Sequence, residues 1–194
     1  MKQLLTFLLC IAFGLKAFPQ SQSTNQIDLS AGISISNVYQ FLPLEDDAYI
    51  SNGKAYGFEL EYNKLIVNKI WINTGLGYTR IPNVFHTMPI DVNRKFNLDI
   101  VQIPLRIKYD LFNWLYFKSG LTFDYQLNDK VDLVDNQSGI GFSFVGGINL
   151  NISESVLFNI ECSLASTSLI PFHLDDSHEH YFISGINLGF GYRF

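Results

Sequence analysis

Residues 185–194 read GINLGFGYRF. Every second residue is bulky and apolar or aromatic: Ile186, Leu188, Phe190, Tyr192 and Phe194. Between them stand Gly185, Asn187, Gly189, Gly191 and Arg193. A period of two belongs to a β-strand, whose side chains point alternately to opposite faces. This strand has one greasy face and one small or polar face, so its two sides meet different surroundings.

The same alternation recurs in seven earlier segments, which makes eight in all. Segment 27–38 sets Ile27, Leu29, Ile33 and Ile35 against Asp28, Ser30 and Ser34. Segment 54–64 sets Tyr56, Phe58, Leu60 and Tyr62 against Glu59 and Glu61, and 70–80 sets Ile70, Ile72, Leu76 and Tyr78 against Asn73, Gly75 and Gly77. Segment 98–109 sets Val101, Ile103, Leu105, Ile107 and Tyr109 against Gln102, Pro104, Arg106 and Lys108. Segment 114–126 sets Phe117, Leu121, Phe123 and Tyr125 against Lys118, Gly120 and Asp124. Segments 139–150, 155–165 and 180–194 follow the same rule, with Glu161 and Arg193 on the polar side of the last two. Each is near the roughly 9–11 residues that a tilted membrane strand needs. Pro104 removes a ladder bond from its strand, which leaves a bulge there as an option.

The connections alternate in length. Those at 62–69, 109–113 and 150–153 are short, whereas 38–54, 80–97, 127–138 and 165–180 are long. Transmembrane barrels have short periplasmic turns and long extracellular loops, and an even strand count returns both ends to the periplasm. The predicted fold is all-β: an eight-stranded antiparallel up-and-down transmembrane β-barrel. Closure is required because lipid cannot satisfy an open sheet edge.

The N-terminus supplies a secretory leader. Lys2 precedes the apolar run 4–15, which is shorter than the roughly 20 residues of a membrane helix. Cleavage is expected between Ala17 and Ser23, giving a signal peptide over 1–20 and a barrel domain over 24–194. Cys10 follows Leu8 and Leu9 inside the run, a poor context for lipidation, so Cys162 alone remains in the mature chain and no internal disulfide forms. The net charge of −5, with no basic patch, argues against nucleic acid as a partner.

Which face turns outward follows from size and charge. Eight sets of Phe, Tyr, Leu and Ile are too bulky to fill a narrow lumen, whereas Gly, Ser and Asn suit one. A soluble barrel with the faces reversed is the alternative. With the apolar face in lipid, the interior receives Glu59, Glu61, Asp124 and Glu161 together with Arg106, Lys108, Lys118 and Arg193. These acids and bases balance, and buried charges must pair or be solvated. The expectation is an interior polar network that plugs the barrel. Lys64 is the main charge of lipid-facing parity and sits at a strand end. Tyr62, Tyr109, Trp114, Tyr192 and Phe194 are placed at the periplasmic rim, and Tyr56, Tyr78, Tyr125 and Tyr181 at the outer rim. Trp71 and Trp114 also share the polar parity, so capping the lumen is their alternative role.

The stretch DIVQIPLRIKYDLFNWLYFKSGLTFDY at 99–125 resembles the outer-membrane β-barrel domain family common in Bacteroidetes. The resemblance rests on Ile103, Pro104, Leu105, Lys108, Tyr109, Gly120 and Leu121. The family includes PorT-like proteins linked to secretion and gliding machinery, and it implies a small barrel of OmpA-like size in the outer membrane. It carries no set of functional residues to this chain. Outer-membrane lipid is the expected surroundings, and the aromatic last strand makes barrel-assembly machinery an expected partner, reading Tyr192 and Phe194.

The loops hold the remaining chemistry. The seventh connection carries His173, Asp175, Asp176, His178, Glu179 and His180, types that can ligate a transition metal, though at no zinc-signature spacing. His173, Ser177 and His178 with either aspartate are also the types a lipid A-modifying hydrolase uses. A solvated extracellular loop is the favoured reading of both. Glu45, Asp46 and Asp47 form an acidic loop, and Arg80, His86, Arg94 and Lys95 a cationic one. The expectation is a structural or partner-binding barrel, no enzyme, with no cofactor or metal. The alternatives, in order, are an accessory component of a secretion or transport complex with envelope-protein partners, a small pore, and an enzyme.

Overall fold

The structure, a computed structural model, describes residues 24–40, 49–51, 53–87, 92–128, 136–172 and 179–194. Among these lie β1 (Asn25–Gln40), β2 (Tyr49–Ser51), β3 (Gly53–Val67), β4 (Ile70–Thr87), β5 (Val92–Asp110), β6 (Leu115–Gln126), β7 (Gly139–Asn151), β8 (Val156–Pro171) and β9 (Glu179–Arg193). β1 pairs antiparallel with β3, each strand from β3 to β8 pairs antiparallel with the next, and β9 pairs with β1 to complete the ring. The short β2 runs along the same neighbour as β3, namely β4, so nine labelled strands make eight staves. The sheet is thus the closed, eight-stranded, up-and-down barrel that the alternation and the connection lengths predict. The leader, the acidic loop at 45–47 and loop residues 173–178 lie outside the described residues.

Alternation sets which side chains meet lipid. Ile33 is 74% exposed and Phe190 59%, whereas Lys118 is 1% and Arg193 8%. The outward face is apolar on every stave, far beyond the few hundred Å² of contiguous apolar surface that a water-soluble monomer tolerates. That surface is stable only against acyl chains, and the reversed, soluble barrel is excluded. Lys64 is exposed at its strand end, and Lys54, Arg80 and Asp99 join it on the outward parity.

Several local expectations are corrected. The connection expected at 80–97 is largely strand: the β4–β5 ladder continues to Thr87 opposite Val92. Main-chain hydrogen bonding extends this hairpin past the hydrophobic band, to strands of 18 and 19 residues. The register at Pro104 does not slip, with Thr74↔Leu105 and Gly77↔Gln102 keeping one stagger on its β4 side and Thr122 opposite it on β6. The irregularities fall elsewhere. One is at Leu65/Val67, beside a tight turn in which Lys69 takes φ 70. The other is at Ile140/Phe142, whose partners are Ile170 and Ser166. Two steps on β7 there face four on β8, Ser168 takes φ 49, and Ser166, Thr167 and Ser168 are all buried. Such a bulge breaks alternation and re-aims main-chain groups.

Tyr181 is fully buried inside the cylinder, not in the outer aromatic belt. With Ile81, Leu98, Ile100 and Ile183 it makes the outer end of the interior apolar, where a wholly polar lumen was expected. Trp114 is 41% exposed and stacks on Phe112 at 5.7 Å, which places it outside the lumen. Trp71 is buried, in keeping with its parity.

Candidate functional site

The chemistry of the described residues lies across the lower half of the lumen, where inward side chains of five staves meet. Arg106 on β5 donates from Nη1 to Glu59 Oε1 at 2.7 Å and to Glu61 Oε1 at 2.8 Å, both on β3. Its Nε donates to Ser143 Oγ on β7 at 2.7 Å. Lys118 on β6 contacts Glu61 Oε2 at 2.5 Å and Glu161 Oε1 on β8 at 2.7 Å. Glu61 therefore joins the two cations, and the array Ser143–Arg106–Glu61–Lys118–Glu161 crosses the cylinder. Inward parity brings all five to the interior because each stands on the polar face of its strand.

Tyr116, two residues before Lys118, donates its hydroxyl to Glu161 Oε1 at 2.6 Å. Its ring lies under Lys108 Nζ, 4.6 Å from the centroid, and the same ammonium is 5.4 Å from the Trp71 ring. Such cation–π contacts favour a desolvated ammonium. Lys108 also lies 4.0 Å from Asp110 Oδ1, and Trp71 Nε1 donates to Asp110 Oδ2 at 2.6 Å. Gly147 makes room for Tyr116, since a Cβ there would stand 2.2 Å from Tyr116 Cζ.

The eight charged residues expected inside are not one network. Glu59, Glu61, Glu161, Arg106 and Lys118 are joined by ion pairs, and Lys108 pairs with Asp110. Arg193 lies at the periplasmic end and donates to Gln26 Oε1 at 3.0 Å and Asn151 Oδ1 at 3.3 Å. Asp124 lies toward the outer end and accepts from Gln102 Nε2 at 2.8 Å, Thr122 Oγ1 at 3.3 Å and the Ser168 main-chain N–H at 3.3 Å. The bulge in β8 delivers that last donor.

Asp28, Asp110, Tyr116 and Trp71 also belong to the interior chemistry. Asp28 accepts from Gln26 Nε2 at 2.8 Å on each oxygen and from Asn63 Nδ2 at 2.7 Å, and Asn73 in turn donates to Asn63 at 2.9 Å. Its parity was legible in the sequence; its partners were not. With Asp28 and Asp110 added, acids outnumber bases inside.

Above the Arg106–Glu59 contact a cavity of about 70 Å³ remains, bordered by Gly32, Gly57, Gly77, Ser163, Asn187 and Glu59 among others. A buried water needs roughly 10–15 Å³, so the space suits a few waters. At the outer rim Asp99 accepts from Tyr78 at 2.6 Å and Asn128 at 2.8 Å, with Arg80 at 3.6 Å. Among the described residues no cluster of His, Cys, Asp and Glu could hold a metal ion. The side chains of His86, Arg94, Lys95, Glu179 and His180 lie outside the described set, with the loop between.

A closed eight-stranded barrel, apolar toward lipid and ion-paired within, is a transmembrane β-barrel of the outer-membrane kind. The chain belongs to the outer membrane protein beta-barrel domain family, which it matches over residues 5–194. Its fold is similar to that of the outer membrane protein OprG from Pseudomonas aeruginosa, with TM-score 0.57, 13% identity, and 90% of this chain and 98% of that one covered. It is also similar to the outer membrane protein AlkL in lipid bilayers, with TM-score 0.52, 16% identity, and 92% and 96% covered. Those identities speak for the fold alone. No curated protein matches the sequence. The protein is located in the outer membrane.

Proposed function

We propose that this protein is an occluded barrel that serves the envelope structurally and binds partners through its extracellular connections. The carrying observation is the array of Arg106 and Lys118 with Glu59, Glu61 and Glu161, which crosses the lumen at contact distance. An eight-stranded cylinder has room inside only for side chains. Here those side chains are charged and mutually paired across the cylinder, the arrangement expected of an occluded lumen. Buried ion pairs add little net stability, and their contribution here is to fill the cross-section of the lumen, which suits a plug. The test is electrical recording in planar bilayers with molar KCl. A silent barrel is expected, and stepwise ion currents from the folded protein would overturn the reading.

In this reading residues 1–20 are a leader and 24–194 the mature barrel. The assembly machinery reads the end of β9 through Tyr192 and the adjoining Phe194, both 54% exposed.

A second reading, an accessory component of an envelope complex of the PorT-like kind, draws on the β5–β6 turn. Leu111, Phe112 and Trp114 are 38%, 54% and 41% exposed there, on the periplasmic side. Cross-linking in cells followed by detergent purification separates the two. Stable co-purification with a defined set of periplasmic proteins, lost in F112S/W114S, would favour the complex.

A further inference from the structure

The outer wall of the barrel is not evenly padded. Cross-strand register places Tyr56, Ile33, Ile186, Cys162 and Gly146 side by side on β3, β1, β9, β8 and β7. The row above it, toward the outer rim, is Lys54, Ile35, Ser184, Leu164 and Phe144. All of these share the outward parity. Two rows that are large at most positions become small at Gly146, Cys162 and Ser184, so the wall is hollowed there. The result is an open groove of about 860 Å³, with Ile33, Ile35, Leu164, Ile186 and Phe144 standing around it and Lys54 at its outer end. Its lining is almost entirely hydrocarbon, apart from the Cys162 thiol, a few hydroxyls and that one ammonium.

The setting limits what can occupy the groove. Its large apolar walls, Ile33, Ile35, Tyr56, Phe144, Leu164 and Ile186, all stand on the lipid-facing parity, with Ser34, Ala55, Ser163 and Gly185 of the opposite parity between them. Its upper end lies at Lys54, the second residue of β3, on the stave end remote from the periplasmic turn at Val67. Lys54 is exposed, and among the described residues no carboxylate pairs with it. A lysine beside lipid directs its ammonium to the interface, where the nearest anions are headgroup phosphates.

We propose that this groove is a specific lipid site: it seats an acyl chain of a net-anionic outer-leaflet lipid whose headgroup carries phosphate and no cation of its own, and that phosphate pairs with Lys54. Bulk acyl chains are as apolar as the groove, so apolarity alone confers no preference. The preference comes from a hollow that holds a chain in a fixed position, combined with a cation at its outer end. A zwitterionic lipid fills the hollow equally well but carries its own ammonium against Lys54.

The test is native mass spectrometry of the detergent-purified barrel, with lipid A or phosphatidylcholine added in equal amounts. One retained lipid A per barrel is expected, with phosphatidylcholine stripped. Lys54→Gln should weaken retention about fivefold, the effect of removing one cation from an anionic lipid surface. Gly146→Leu should abolish retention by filling the floor. A Cβ at Gly146 meets only the Phe117 ring, at 3.5 and 3.6 Å, which is ordinary contact. Folding of both variants is checked by the mobility change on boiling, and Lys54→Gln decides alone should Gly146→Leu not fold. The proposal is overturned if the parent strips clean of lipid A, if it keeps phosphatidylcholine equally, or if folded Lys54→Gln retains lipid A as the parent does.

Discussion

Lys118→Met tests the interior array most directly. The ammonium sits 2.5 Å from Glu61 and 2.7 Å from Glu161, and all three side chains are 3% exposed or less. Methionine fills the volume of the stem and removes only the charge. Breaking a buried pair by deleting one partner costs about 3–5 kcal/mol, because a desolvated charge is left behind. Glu61 retains Arg106 at 2.8 Å, and Glu161 retains the Tyr116 hydroxyl at 2.6 Å. The loss should therefore fall at the lower end, about 3 kcal/mol. Glu161 is the group left without a cation, so the double variant K118M/E161Q should recover more than about 1 kcal/mol of it. The assay is urea unfolding from lipid vesicles, followed by tryptophan fluorescence and by gel mobility before and after boiling. Trp71 inside and Trp114 outside report on both sides of the wall. The reasoning fails if K118M unfolds within about 1 kcal/mol of the parent, or if the double variant is the less stable of the two.

Three further outcomes follow from the same geometry. Gly147→Ala places a methyl 2.2 Å from Tyr116 Cζ and 2.4 Å from its hydroxyl. The ring must move off Glu161 and Lys108, and a loss of about 1–3 kcal/mol is expected in the same unfolding assay. Arg80→Ala should change stability by less than about 1 kcal/mol. Its side chain is 37% exposed, and Asp99 keeps Tyr78 and Asn128 without it. Tyr192→Ala with Phe194→Ala should lower the amount of boiling-sensitive folded barrel in outer-membrane fractions while leaving refolding into detergent unchanged. Equal loss in both would show a folding role and not an assembly one.

Much of the fold is legible because the membrane enforces a simple rule. A residue that faces lipid cannot be polar at little cost, so Ile103, Leu105 and Ile107 against Gln102, Arg106 and Lys108 already declare two faces. The hairpin beyond Arg80 was missed because it leaves that regime. Once the ladder clears the hydrocarbon, Ile81, Leu98 and Ile100 pack inside as in an ordinary core, and parity no longer sorts polar from apolar. Tyr181 was misplaced for the same reason.

Period alone tells that Glu61, Arg106, Lys118 and Glu161 turn inward. It does not tell that Glu61 joins both cations, that Asp124 lies apart beneath a bulge, or that Tyr116 carries the link to Glu161 and Lys108. Those partners come from strands up to 57 residues apart in sequence, and the stagger of the closed ring decides which inward residues share a level. The lipid-facing hollow has the same origin, since Gly146, Cys162 and Ser184 are unremarkable on their own strands and neighbours only through register. Facing is a local property of a two-residue repeat, which the chain states by itself. Who meets whom across the cylinder or along its wall is set by how the ring closes, and only the tertiary structure holds that.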